Sequence, residues 1–139
     1  MSQLDRFKGD WTPPEIEHGK LTKYNWVVYR PQGLQLGKWT DIGAFTAIFA
    51  HHGVEIGDEV QIGGGCIVYS ISTISLDGTD VVGKVTIGKG AQIGAQSTIM
   101  PGVTIGEGAI IGAHSLVLKD VPAHELWFGA PAKFVRKLS

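Results

Sequence analysis

The groups in this sequence that can exchange a proton near neutral pH are five imidazoles: His18, His51, His52, His114 and His124. An imidazole titrates between about pH 5 and 8, so modest surroundings decide whether it takes or gives a proton. Two of the five are adjacent, in the stretch AIFAHHGVEIGDEVQIGGG. The one thiol, Cys66, excludes an internal disulfide and fits a reducing compartment, the cytoplasm. The cations are unevenly placed. Residues 1–118 carry 8 Lys/Arg against 11 Asp/Glu, whereas residues 119–139 carry Lys119, Lys133, Arg136 and Lys137 against 2 acids. Such a tail can receive a phosphate-bearing ligand or be an ordinary solvated end.

What positions these groups is a repeat. Ile87, Ile93, Ile99, Ile105, Ile111 and Val117 recur every six residues, and Gly88, Gly94, Gly106 and Gly112 follow four of them directly. Four residues after each Ile stands a small or β-branched residue: Ala91, Ser97, Val103, Ala109 and Ser115. Six is not a near-multiple of 3.6, so no α-helix produces this pattern, and a simple strand would alternate every two positions. The spacing fits a coil with three flat sides, one hexad to a side. Ile points inward with the small residue beside it, and glycine and polar residues turn the corners. Three hexads close one coil, so Ile87 should stack on Ile105, Ile93 on Ile111 and Ile99 on Val117. Coils stacked this way pair as parallel strands, and each buries its apolar edge only against its neighbours.

The pattern continues upstream at Leu36-Gly37, Ile42-Gly43, Ile56-Gly57 and Ile62-Gly63, with a two-residue slip between Ile42 and Ile56. A loop thrown out of the coil is expected near Ser75–Lys84, SLDGTDVVGK. The chain is therefore expected to be one all-β domain with three parts: an N-terminal cap over residues 1–35, coils over 36–118, and a C-terminal cap over 119–139, where Pro122 and Pro131 break the repeat. The stretch KYNWVVYRP reads as a strand or an extended cap. Glycine makes up 20 of 139 residues and net charge is −1, so nothing points to nucleic acid or an anionic membrane as partner. The opening MSQLDRFKGDW has no apolar run of the signal-peptide kind.

The stretch VTIGKGAQIGAQSTIMPGVTIGEGAIIGAHSLVLKDVPAHELWFGAPAKFVRKL, with its MPGVTIG, IIGAHSLV, KDVP and GAPAK blocks, resembles the hexapeptide-repeat acyltransferases. The resemblance implies a left-handed parallel β-helix, a homotrimer, and acetyl-CoA or a longer acyl-CoA bound between adjacent helices. It also implies transfer to an amine or hydroxyl, often of a sugar or nucleotide-linked sugar. The His-bearing stretch resembles that of sugar N-acetyltransferases in which a His before an I-G-D turn acts as base. His52 takes the matching place and His51 is the alternate; the other reading is that both are surface corner residues and the acceptor binds as a neutral amine that needs no base. The acidic residue that follows the His in those relatives is Gly53 here, so the carboxylate that would orient the ring is missing from that position. Asp58 or a neighbouring chain is the substitute to look for.

For the donor, the resemblance points to the last coils and the cap. Gly94 and Gly112 line the pantetheine arm, Lys119, Lys133 and Arg136 meet the phosphates, and Pro122 and Pro131 flank the adenine. Tyr69, Ser70, Ser72, Thr73 and Asp77 lead into the Ser75–Lys84 loop, which is either an acceptor wall or an idle insertion. The aromatics Trp11, Tyr24, Trp26 and Trp39 either stack on a ligand or close the first coil. Cys66 and Ser97 occupy small core positions and read as packing, and His114 as a corner residue. Two other readings are kept. One is a zinc enzyme resembling the γ-class carbonic anhydrases, disfavoured because VTIGKGAQIGAQSTI lacks the second His segment, so no metal is expected. The other is a non-catalytic scaffold or partner subunit.

Overall fold

A computed structural model describes Phe7 and residues 10–139. The chain winds through five coils. The first holds β1 (Val27–Tyr29), β2 (Leu34–Leu36) and β3 (Asp41–Ile42), and the second β4 (Ala47–Phe49), β5 (Val54–Ile56) and β6 (Gln61–Ile62). The third begins with β7 (Ile67–Tyr69), throws out the hairpin β8 (Ile71–Ser72) and β9 (Val81–Val82), and resumes with β10 (Val85–Ile87) and β11 (Gln92–Ile93). The fourth holds β12 (Thr98–Ile99), β13 (Thr104–Ile105) and β14 (Ile110–Ile111). The fifth holds β15 (Leu116–Val117) and β16 (Glu125–Gly129), after which β17 (Ala132–Lys137) turns back antiparallel.

The strands stack into three parallel sheets, the faces of a left-handed β-helix. Face I is β1-β4-β7-β12-β15, face II is β2-β5-β10-β13, and face III is β3-β6-β11-β14-β16 closed by β17. The expected register is found: Ile87 pairs with Ile105, Ile93 with Ile111 and Ile99 with Val117. The stacked large residues and their small companions fill one core. Ile48, Ile99 and Ile105 are fully buried, as are Val60, Ala91 and Ala109.

The repeat glycines do a different job from the one their corner placement suggests. The residue with left-handed backbone is two positions further on, at Phe45, Gln96 and His114 on one corner and at Trp39, Glu59, Gly90, Gly108 and His124 on another. The glycine directly after Ile is needed for close approach instead. A Cβ on Gly94 would stand 2.4 Å from the backbone N of Ala113 in the next coil. At the turns that leave faces II and III, adjacent coils can lie at strand spacing only if that position has no side chain.

The boundaries differ from the sequence expectation at both ends. The first coil begins at β1, inside the stretch assigned to the cap, because Trp26 and Val28 are core residues. The N-terminal segment covers that edge: Gly19 N–H donates to the Val28 carbonyl and Thr22 N–H to that of Trp26, both at 2.8 Å. The rings of Phe7, Trp11 and Trp39 cluster there, with centroids 6.1 to 6.5 Å apart, and Tyr24 joins through Phe7. These aromatics close the first coil. At the other end the cap continues the solenoid. Val121 bridges Ile105 on face II, and Trp127 pairs with Ile111 on face III. Covering both terminal coils protects the parallel edges from pairing with another chain.

The two irregularities of the repeat fall on one corner. From face I to face II the chain takes six residues between Ile99 and Ile105, eight between Ile48 and Ile56, and nineteen between Val68 and Ile87. The two-residue slip and the extruded loop are thus the same event at different lengths, and they stack at the I/II corner.

Candidate functional site

The histidine pair sits in the eight-residue version of this corner. Ala50 is buried and anchors it, while His51 and His52 are exposed. Gly53 follows with a φ of 98°. That backbone explains the missing carboxylate, since the turn back into β5 runs through a conformation that residues with a Cβ rarely adopt. Asp58 does not replace it. Its Oδ1 accepts the Lys38 backbone N–H at 2.8 Å on the II/III corner, beyond β5. Glu55 lies opposite Lys84, at 3.9 Å.

Ser70 braces the pair from the coil above. Its side chain is fully buried, its Oγ accepts the His52 backbone N–H at 2.9 Å, and its hydroxyl donates to the Phe49 carbonyl at 2.6 Å. This corrects its expected place in the acceptor wall: both hydrogen-bonding directions are used inside the protein. Tyr69 stacks on Phe49 (5.0 Å, 20°) and Phe49 on Tyr29 (4.8 Å, 11°), an aromatic ladder on the outside of face I. Asp77 shapes the tip of the hairpin. Its Oδ1 accepts from the Thr79 hydroxyl at 2.7 Å and the Thr79 N–H at 3.0 Å, and these bonds hold its carboxyl below the usual range. Turn-making accounts for Asp77 without a ligand.

A cleft of about 340 Å³ at the I/II corner is lined by Arg30, Gln32, His51 and His52 among others, and one of about 430 Å³ beside it by His18, Arg30, Gln32 and His51. His18 and Arg30 were not singled out from the sequence, because the turn that brings them beside His51 lies before the regular repeat. Burial lowers the affinity of His51 for a proton, and the positive charges of Arg30, His18 and His52 lower it further.

The expected donor residues are only partly gathered. Gly94 and Gly112 line one cleft of about 400 Å³ with Gln61, Gln92 and Ile110, along the III/I corner. Their lack of side chains is already explained by coil stacking, Gly112 by the ring of Phe128 with a Cβ position 2.6 Å from Cδ2. Exposed Lys133 and Arg136 lie on β17 beside face III. Lys119 stands past β15 on the I/II corner, Pro122 follows Val121, and Pro131 makes the turn between β16 and β17. The three cations are therefore not brought to one edge. His114 turns the III/I corner with a φ of 57°.

Cys66 and Ser97 are packed, as their position suggests, and also form a hydrogen-bonded column along the III/I corner. Thr46 donates to the Gly63 carbonyl at 3.0 Å, Cys66 Sγ to Gly94 at 3.2 Å and Ser97 to Gly112 at 3.1 Å. Burial pushes the Cys66 thiol up, away from the reactive thiolate. Among the described residues, no three His, Cys, Asp or Glu side chains are grouped to hold a metal ion.

Two family descriptions match the chain. Residues 84–119 match "Bacterial transferase hexapeptide (six repeats)", and residues 40–70 match "Hexapeptide repeat of succinyl-transferase". No curated protein matches it. Among solved structures it is similar to a maltose O-acetyltransferase from Clostridium difficile 630, with 27% identity and a TM-score of 0.77, over 83% of this chain and 64% of that one. It is similar to a hexapeptide-repeat acetyltransferase from Vibrio cholerae complexed with acetyl-CoA, with 29% identity and a TM-score of 0.78, over 82% and 65%. A variant of an N-acyltransferase from Bacillus cereus, in complex with dTDP and CoA, shares 26% identity with a TM-score of 0.67, over 86% of this chain and 80% of that one. The chain thus spans about two thirds of the first two and most of the third.

Proposed function

We propose that this chain, a member of the hexapeptide-repeat acyltransferases, transfers an acyl group, acetyl in the simplest case, from acyl-CoA to an amino group on a sugar or nucleotide-linked sugar. The observation that carries this reading is the I/II corner. It is the one place where the coil changes length, and it holds the adjacent imidazoles in a cleft braced from the coil above. The complexes of similar proteins with acetyl-CoA and with CoA support the donor.

In this reading His52 takes the proton from the acceptor nitrogen as it attacks the thioester carbonyl. The tetrahedral intermediate then expels the CoA thiolate, which leaves as the thiol once protonated. No carboxylate lines the His52 cleft to orient its ring, so an acceptor bound as a free amine suits it better than a hydroxyl. The similarity to a maltose O-acetyltransferase supports the hydroxyl as the second reading.

The working unit in this reading is a homotrimer in the cytoplasm. The outward rows of face I are Val27, Ala47, Ile67, Thr98 and Leu116, and beside them Tyr29, Phe49, Tyr69, Met100 and Leu118. The corresponding row on face II is Gln35, Glu55, Thr86 and Thr104. An apolar face suits a dry interface. If three prisms turn face I toward a threefold axis, the I/II corner of each meets the III/I corner of the next. The imidazoles of one chain would then face the Gly94–Gly112 cleft of its neighbour. Ile74 and Leu76, exposed on the hairpin, would add to the contact.

The test is release of free thiol from acetyl-CoA with a panel of amino sugars, hydroxyl sugars and their nucleotide-linked forms. Turnover confined to the amino acceptors is expected. Turnover confined to hydroxyl acceptors favours the second reading, and none with any acceptor or acyl chain length sinks both.

A further inference from the structure

Beyond the base, the I/II corner holds Arg30 and two further imidazoles that proton transfer alone does not require. Every ionisable side chain lining its two clefts is basic: His18, Arg30, His51 and His52. Among the described residues the ion pairs lie elsewhere, at Lys20–Glu17 and Lys84–Glu55. Arg30 is a permanent cation and no carboxylate lines either cleft, so the concave wall offers positive potential and N–H donors to whatever enters.

The donors are also oriented. The Arg30 backbone N–H donates to His18 Nδ1 at 2.8 Å, so neutral His18 carries its proton on Nε2. The His18 ring stands edge-on to Tyr29, with centroids 5.5 Å apart. The His51 ring lies near-parallel to Phe49 at 6.3 Å. The Arg30 fork matches phosphate oxygens two at a time, and Gln32 adds amide donors on the shared wall. The two clefts share Arg30, Gln32 and His51, but only one contains His52 and only the other His18. A ligand spanning both would put its reacting end at His52 and its anionic end at His18 and Arg30.

We propose that His18, Arg30 and His51 form a diphosphate subsite, so that the acceptor is a sugar carried on a nucleoside diphosphate. This rests on the acyltransferase reading for what happens at His52, but the subsite itself binds without turnover. It distinguishes the acceptor's diphosphate from that of CoA, the other ligand bearing one.

The experiment is calorimetric titration of the full chain with dTDP, UDP, inorganic pyrophosphate and CoA, for wild type, Arg30→Gln and Arg30→Lys. Wild type is expected to bind a nucleoside diphosphate more tightly than pyrophosphate. Arg30→Gln should weaken that binding at least 10-fold, Arg30→Lys should recover part of it, and CoA affinity should stay within 2-fold in both. An unchanged thermal melt establishes that the variants are folded. Equal loss of CoA affinity in Arg30→Gln would assign the cations to the donor and overturn the proposal. So would dTDP and UDP affinities unmoved by the substitution, or the absence of any binding to wild type. If the diphosphate binds as expected and no acceptor turns over, the subsite stands and the acyltransferase reading falls.

Discussion

The oxygen of Ser70 accepts the backbone N–H of His52 at 2.9 Å, so the residue that opens the extruded hairpin also fixes the corner beneath it. Ser70→Ala leaves that N–H without its partner in a part-buried setting, a loss of about 1–3 kcal/mol. Turnover should fall about 10-fold through misplacement of the imidazole, with CoA affinity unchanged. Steady-state kinetics beside CoA titration separate this from general unfolding, which would lower both.

The two histidines should part company when each is replaced. His52→Asn should lower kcat by ~10²–10⁴ with CoA affinity nearly unchanged. His51→Asn should mainly raise the KM of a diphosphate-bearing acceptor. Equal kcat losses in both would remove the distinction.

His51 also carries a stability signature. Its proton affinity is lowered in the fold, chiefly by burial and then by Arg30, His18 and His52. Below about pH 6.5 the unfolded chain gains a proton that folded His51 resists, so stability is lost as pH falls from there toward the folded value. Urea melts at pH 7.5 and 5.5 should show a smaller acid loss in His51→Asn than in wild type. The effect is small, because the ring is exposed.

Two glycine substitutions should fail for different reasons. Gly94→Ala drives a Cβ to within 2.4 Å of Ala113 N and forces the coils apart, costing about 1–3 kcal/mol or more. At Gly90 nothing lies within 4 Å of the added carbon, but φ is 71°, so Gly90→Ala should cost about 1–2 kcal/mol through the backbone alone. Gly90→Asn, which tolerates that conformation, should recover part of the loss, and Gly94→Asn none. Urea midpoints read all four.

Cys66 should react with a disulfide reagent only on unfolding, since it is fully buried and burial pushes its thiol up. Cys66→Ser should keep the column of bonds to glycine carbonyls and full activity. Rapid labelling of the folded chain would show that the third coil opens.

Ile67→Glu, in the middle of face I, should convert a trimer to monomers by light scattering and abolish activity, while Thr86→Glu on face II should do neither. A wild type that is already monomeric at micromolar concentration ends the interface proposal.

The coils were legible in the sequence because a core residue is constrained by its neighbours on every side. Ile87, Ile93 and Ile99 declare their stacking by spacing alone. Where the corner lengthens, the pattern carries no such constraint. The slip before Ile56 and the segment after Tyr69 looked like separate faults, and only the stacking of β4 under β7 shows them to be one corner. The place of Arg30 and His18 beside His51 was not legible for the same reason: nothing periodic links them to it, and they meet it through a turn. Ser70 was misjudged because a serine beside a loop reads as exposed, whereas here it closes the core.

Confining every change of length to one corner separates two kinds of inheritance in the chain. Faces II and III are wound identically whether that corner spends six residues or nineteen, so the scaffold does not register what the corner holds. The hairpin past Ser70, from Ile71 to Val82, is an insertion that the stack carries without a change of register. Such a molecule can acquire a new clientele by transplantation at a single seam, without retuning the stack that keeps it folded.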